Sequence, residues 1–220
     1  MGEVPRRCIG AVLAGGRSSR MGGAPKGLAN VGGIRIVDRV MAALRAVTDE
    51  VIIVAASQDA EEWCPGTPVV NDRVPNLGPL GGIDAALAGG ADVIVVAWDM
   101  PFVTPALLAA LRERGERAHA DAVVPEGEGA HGLEPLCAWY AASSAPMFAE
   151  AIASGDGALH RALRSLPRLV IVERESLRSF GNPAQLLTSV NTHASLARAQ
   201  KLARGGPTAG LTDRSPHPPS

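Results

Sequence analysis

The sequence predicts an α/β protein built on a mostly parallel sheet, and three features carry that prediction. Short runs rich in Val and Ile alternate with stretches of helical periodicity, as successive βαβ units require. The run at 92–97 is apolar from Val93 to Ala97, the signature of a strand buried on both faces. The first such run, 8–13, feeds a glycine-dense loop and then a helix, which is how open α/β sheets present a ligand site.

The elements follow in order. After the strand at 8–13 and the loop at 14–33, Ile34, Val37, Val40, Met41, Leu44 and Val47 recur at three- and four-residue spacing, so a helix with one buried stripe is expected. Strands are expected at 51–55 and 67–70, and a helix at 78–88 entered through Gly78-Pro79-Leu80-Gly81-Gly82. Past the strand at 92–97, Thr104 is a good N-cap and Pro105 suits the first helical position, giving a helix to about Arg117. Further strands are expected at 121–124, 136–140, 169–173 and 186–190, with helices from Ala145 and Ala158 and a last one capped by Thr192 and ending near Arg204. Residues 1–204 thus form one domain. Residues 205–220 turn to Gly, Pro, Ser and Thr without apolar periodicity, and a disordered tail is expected there.

Composition narrows the function. The 220 residues carry 21 Lys and Arg against 22 Asp and Glu, a formal charge of −1, so the long basic footprint of a nucleic-acid or anionic-membrane binder is not expected. No apolar run approaches the ~20 residues that span a bilayer, and Glu3, Arg6 and Arg7 interrupt the start, so a cytoplasmic protein is expected. Cys8, Cys64 and Cys137 are widely spaced with no Cys-x-x-Cys pair, and read as small buried hydrophobes. Only Lys26 and Lys201 among the 21 basic residues are lysines. A lysine inside a glycine-rich loop of an arginine-using chain suggests that an ammonium is needed there.

The chemistry concentrates beyond the strand ends. Leu13-Ala14-Gly15-Gly16-Arg17-Ser18-Ser19-Arg20-Met21-Gly22, with Pro25-Lys26, forms a loop whose backbone N–H groups can approach a phosphate because no Cβ intrudes. It lacks the Gly-Lys-Ser/Thr of a phosphate-binding P-loop and the Gly-x-Gly of a dinucleotide fold. Arg20 and Lys26 add a planar fork and a point charge suited to a triphosphate. Asp99, just past the strand at 92–97, either holds Mg²⁺ on a phosphate or caps the turn before Pro101. Asn191 is either a second oxygen ligand or an ordinary turn residue before Thr192. Asp72 either accepts from a base or sugar or is a solvated acid, and Gly78 either lets a nucleotide come close or serves helix entry. His131 and Glu134, in the loop before Pro135-Leu136, are candidates to face an acceptor substrate.

Taken together, Leu13-Ala14-Gly15-Gly16, Arg20-Met21-Gly22, Lys26, Asn71-Asp72, Gly78-Pro79-Leu80-Gly81-Gly82, Trp98-Asp99-Met100-Pro101-Phe102, Glu134-Pro135-Leu136 and Val190-Asn191-Thr192 resemble the molybdenum cofactor guanylyltransferase family. The resemblance runs in order from about residue 8 to 200 and implies a Rossmann-like, three-layer nucleotidyltransferase fold. It also implies transfer of GMP from GTP to the terminal phosphate of molybdopterin with Mg²⁺, releasing pyrophosphate, and transient contact with proteins that deliver or accept the pterin. By position, Leu13, Ala14, Gly15, Gly16 and Lys26 would bind GTP, Asp72 would contact the nucleoside, and Asp99 would bind nucleotide and metal. One departure matters: where the family commonly has an Asn at the end of its second strand, this chain has Val54-Ala55-Ala56. The base is therefore less firmly implied than the reaction, and a molybdopterin cytidylyltransferase, a sugar-phosphate nucleotidyltransferase or a non-catalytic GTP sensor stay open as alternatives.

Overall fold

The computed structural model describes residues 6–15, 25–57, 59–71, 77–128, 131–155 and 157–205. Its strands are β1 (Cys8–Ala14), β2 (Asn30–Val31), β3 (Ile34–Arg35), β4 (Glu50–Ala55), β5 (Val69–Val70), β6 (Asp92–Ala97), β7 (Ala122–Pro125), β8 (Cys137–Tyr140) and β9 (Leu169–Val172). Seven of them form one sheet in the order β5-β4-β1-β6-β8-β7-β9, and β2 pairs with β3 as a separate hairpin. β1, β4, β5 and β6 are mutually parallel, as are β7 and β9, whereas β8 runs antiparallel to both its neighbours.

Alternation along the strands divides the core into two layers. From β1, Cys8, Val12 and Ala14 enter one cluster while Ile9, Ala11 and Leu13 enter the other, the period of two that a pleated strand imposes. The first cluster is covered by α1 (Ile36–Arg45) and α4 (Pro105–Ala118), with Ala199 of α8 (His193–Gly205). The second is covered by α3 (Pro79–Leu87), α5 (Ala145–Ala153) and α6 (Leu159–Arg164). Helices on both faces of a mainly parallel sheet make the three-layer α/β fold that was expected. Two short helices, α2 (Ala60–Trp63) and α7 (Pro183–Leu186), complete the chain.

The Cys residues are buried, as their apolar reading required, and burial raises the thiols of Cys8, Cys64 and Cys137. Thr104 caps α4 by accepting from Leu107 N–H, and Thr192 Oγ1 accepts from Ser195 N–H at the start of α8.

Three expectations need correcting. Residues 186–190 are not a strand: Asn182 caps α7 with Pro183 at its first position, Leu186 ends that helix as a core anchor and Val190 is another in the irregular backbone after it, which explains their apolar signal. Asn191 therefore follows a loop. The first helix begins at Ile36 rather than Ile34, because Ile34 and Arg35 pair across a Gly32-Gly33 turn with Val31 and Asn30. The third sheet strand is confined to Val69–Val70. The last helix, α8, runs His193–Gly205 and so ends where expected. The expected tail beyond it lies outside the described residues.

Candidate active site

The carboxyl ends of β1, β4, β5, β6, β7 and β9 lie on one edge of the sheet, and the antiparallel β8 starts there. Leu13, Ala14 and Gly15 end β1 on this edge. Trp98 N–H donates to Leu13 O at 3.2 Å, so the chain leaving β6 is stitched to the mouth of the glycine-rich loop. Gly16 and Arg20 of that loop, and Asp72 past β5, lie outside the described residues.

Lys26 opens a 3₁₀ turn, Lys26–Leu28, closed by Leu28 N–H to Pro25 O and Ala29 N–H to Lys26 O. Gly27 lies against the Trp98 indole, where a Cβ would stand 2.4 Å from Cε3. Only glycine allows that approach, and the contact fixes where Lys26 starts. The Lys26 ammonium donates to Asn191 Oδ1 at 2.7 Å. Asn191 is itself held by backbone: its N–H and that of Thr192 both donate to Ser195 Oγ at 2.9 Å, a reciprocal cap with Thr192 Oγ1.

Asp99 reaches the same spot from β6. Its carbonyl accepts from Val190 N–H at 2.8 Å, which ties the residue before Asn191 to the turn after β6. Burial pushes the Asp99 carboxyl up, and the Lys26 charge pulls it back down. Lys26, Asp99 and Asn191, distant in sequence, are thus brought together as expected. The net direction is upward, burial outweighing the pull of the Lys26 charge.

Glu134 joins them. It precedes β8 and so stands on the same edge; burial first, with the Asp99 charge adding to it, drives its carboxyl up to about 7 against the pull of a hydrogen bond from Leu136 N–H. Among the described residues, two half-buried carboxyls thus share this edge with the Lys26 ammonium. Glu134's partner in the sequence reading, His131, stacks on His160 with ring centroids 3.8 Å apart. The closeness of Glu134 to Asp99 had only a positional signal, a Glu just before a strand that reaches the site edge. The role of Trp98 in seating Gly27 had none, because nothing local marks a close approach across 71 residues of chain.

Gly78 caps α3 with φ 57°, ψ −138°, a conformation that other residues rarely take, so glycine here serves helix entry whatever else approaches it. At the end of β4, Val54 and Ala55 are buried and Ala56 is exposed, so no polar side chain faces a base from that position.

A Mg²⁺ ion fits what is present. Asn191 Oδ1 keeps a lone pair after accepting from Lys26, and Asp99 offers a half-buried carboxyl group. No cluster of three His, Cys, Asp or Glu side chains exists among the described residues. Such a sparse oxygen set suits a hard cation that takes its remaining ligands from phosphate and water.

Known proteins align with this arrangement. A relative from Natronomonas pharaonis named "Probable molybdenum cofactor guanylyltransferase" is 36% identical over 205 residues, 87% of this chain and 96% of its own length. The molybdenum cofactor guanylyltransferase of Desulfosudis oleivorans is 30% identical, covering 90% of this chain and 96% of that one. The crystal structure of molybdopterin-guanine dinucleotide biosynthesis protein A from Archaeoglobus fulgidus superposes with a TM-score of 0.77 at 29% identity, over 89% of this chain and 98% of that one. Among the described residues no helix is long and apolar enough to cross a membrane. With the MobA-like NTP transferase domain matched over residues 10–171, the chain belongs to the MobA-like NTP transferase family, in its molybdenum cofactor guanylyltransferase branch.

Proposed function

We propose that this chain transfers GMP from GTP to the terminal phosphate of molybdopterin, in the cytoplasm, and releases pyrophosphate. The observation that carries the reading is the convergence of Lys26, Asp99 and Asn191 beyond β1 and β6, where family relatives named for this reaction share the fold.

The acceptor is a phosphate monoester, whose second pKa near 6 leaves it largely dianionic at pH 7. Its oxygen attacks the α-phosphorus of GTP, the bond to the α,β-bridging oxygen breaks, and pyrophosphate leaves with the electron pair. No strong base is needed. The work is bringing two anions together and offsetting charge that grows on the transferring and leaving groups. Lys26, anchored to Asn191, supplies a fixed positive charge at the triphosphate. Arg20 and the amides of Leu13, Ala14, Gly15 and Gly16 would share the phosphates, Gly78 would open the approach beside them, and Asp72 would contact the nucleoside. Asp99 and Asn191 are the residues that would hold Mg²⁺, which supplies Lewis-acid neutralisation of phosphate oxygens. Proteins that deliver molybdopterin or take the product would dock only transiently.

The test is pyrophosphate release from molybdopterin with each of the four nucleoside triphosphates, with and without Mg²⁺. GTP- and Mg²⁺-dependent release is expected. Preference for CTP would reassign the base, as the apolar Val54-Ala55 leaves room for. Tight GTP binding with no pyrophosphate from any acceptor would sink the enzyme reading in favour of a sensor.

A further inference from the structure

β5 and β9 are the outer strands of the seven-stranded sheet, and their free edges differ. β5 is two residues long and follows Pro68, which has no N–H to offer, so it presents little to pair with. β9 is guarded less. Val172 O accepts from Glu126 N–H at 2.9 Å, which turns the main chain of Val170 and Val172 toward β7. The alternation of a parallel ladder then points the N–H and C=O of Leu169 and Ile171 away from the sheet, and those of Ile171 have no partner among the described residues. Edge strands commonly carry a charge at such a position to repel a neighbour. This one carries Ile171, 46% exposed.

We propose that β9 is a dimer seam, on which a second copy of this chain pairs antiparallel about a two-fold axis through Ile171. Such an axis stands perpendicular to the sheet and keeps each face on its own side, so opposed residues must share a face. With Ile171 opposite itself, its outward N–H and C=O exchange two hydrogen bonds with those of the copy, and two exposed Ile side chains cover one another. The same register sets Val170 against Val172 and Leu169 against Glu173.

Charge selects this occupant. Glu173 is exposed just past β9, on the face of Leu169 and Ile171. At the start of β9 that face is covered by α6, which ends at exposed Arg164 and whose Leu163 shares a core cluster with Leu169. Neither Arg164 nor Glu173 has an ion pair among the described residues. One face of β9 is thus basic at one end and acidic at the other, and antiparallel pairing brings each copy's Glu173 beside Leu169 and toward the other's Arg164, twice over. On the opposite face Arg168 meets Arg174, but Asp121 and Glu128 already answer these two at 2.7 and 2.6 Å. Because the pairing reverses strand direction, the carboxyl-end edges of the two sheets face opposite ways, and each copy keeps its own active-site edge open.

Sedimentation velocity on the full chain over a range of concentrations tests the seam. The wild type is expected to sediment as a dimer that dissociates on dilution. Ile171→Lys sets two ammonium groups against each other on the axis and is expected to raise the dimer dissociation constant by about tenfold or more. Arg164→Glu is expected to raise it by about fivefold, since each ion pair occurs twice, and adding Glu173→Arg in the same chain should bring it back to within about threefold of wild type. Arg164 lies on a helix surface, so the charge pair still reads out the seam if Ile171→Lys folds poorly. A wild type that stays monomeric at about 100 μM overturns the proposal. So does a dimer unmoved by these changes, or a weakening by Arg164→Glu that Glu173→Arg fails to reverse.

Discussion

The two ends of the sheet handle their acidic residues in opposite ways. At the amino ends of the strands Asp49, Asp92 and Asp121 accept hydrogen bonds from the fold itself, although Asp92 Oδ2 has no partner among the described residues. Asp49 accepts from Cys8 N–H at 2.9 Å, Asp92 from Ala142 N–H at 2.8 Å, and Asp121 from both the backbone and the guanidinium of Arg168 at 3.0 and 2.7 Å. Arg168's hydrogen bonds hold the Asp121 carboxyl below the usual range. At the carboxyl ends, Asp99 and Glu134 are pushed up by burial, and among the described residues the Lys26 charge pulls on Asp99. One end uses carboxylates to close the fold; the other keeps them short of partners among the described residues, a state that costs stability and is retained where a ligand completes the set.

The comparison is most directly broken at Lys26 and Asp99. Lys26→Ala or Asp99→Ala is expected to lower kcat/KM by roughly 10²- to 10³-fold, the scale of one preorganised charge-stabilising group. Thermal unfolding of the ligand-free variants should change little, or rise for Asp99→Ala. Near-full turnover in either purified variant would remove that residue from the mechanism.

At the other end the pattern should invert. Asp121→Ala removes two hydrogen bonds from Arg168 and a side chain only 4% exposed, so a loss of about 2 kcal/mol in denaturant unfolding is expected at pH 7 with kcat/KM unchanged. Because the folded carboxyl titrates below its unfolded value, its contribution is complete above about pH 4 and fades as pH falls through the folded value. The stability gap between variant and wild type should therefore close in acid.

Glu134 gives the subtler contrast. Its pKa is raised from the ordinary carboxyl value to about 7, so the folded protein binds a proton that the unfolded chain has released. Stability from this group falls as pH rises from about 4.5 to 7 and is flat above that. Glu134→Gln, studied without nucleotide or metal, is expected to match wild type near pH 5 and exceed it by about 2 kcal/mol at pH 8. An equal pH dependence in both proteins would show that Glu134 does not titrate in this window.

How much of this could be read from the chain depended on the range of the signal. The strands at 8–13, 51–55 and 92–97 and the helix at 105–117 have local causes, namely periodicity, caps and continuous apolar runs, and the structure has them within a residue or two. Lys26 and Asp99 were legible as candidates because parallel topology sends the ends of β1 and β6 to one edge, whereas Asn191 was reached through an expected strand at 186–190 that is not there. The failures were non-local. Apolar Leu186 and Val190 looked like a strand, since burial at a helix end or in a loop leaves the same composition as burial in a sheet. The reversed direction of β8, which delivers Glu134, has no counterpart in the residues of β8 itself.

Trp98, whose indole seats the turn that begins with Lys26, has a consequence for observation. Its ring nitrogen is buried without a partner among the described residues, and the ring lies 4.8 Å from that of Trp63. An indole in dry surroundings emits at short wavelength, and one coupled to a neighbour is sensitive to small displacements. The residue that sets the height of the ammonium therefore doubles as an internal optical gauge, able to report occupation of the phosphate site without a dye.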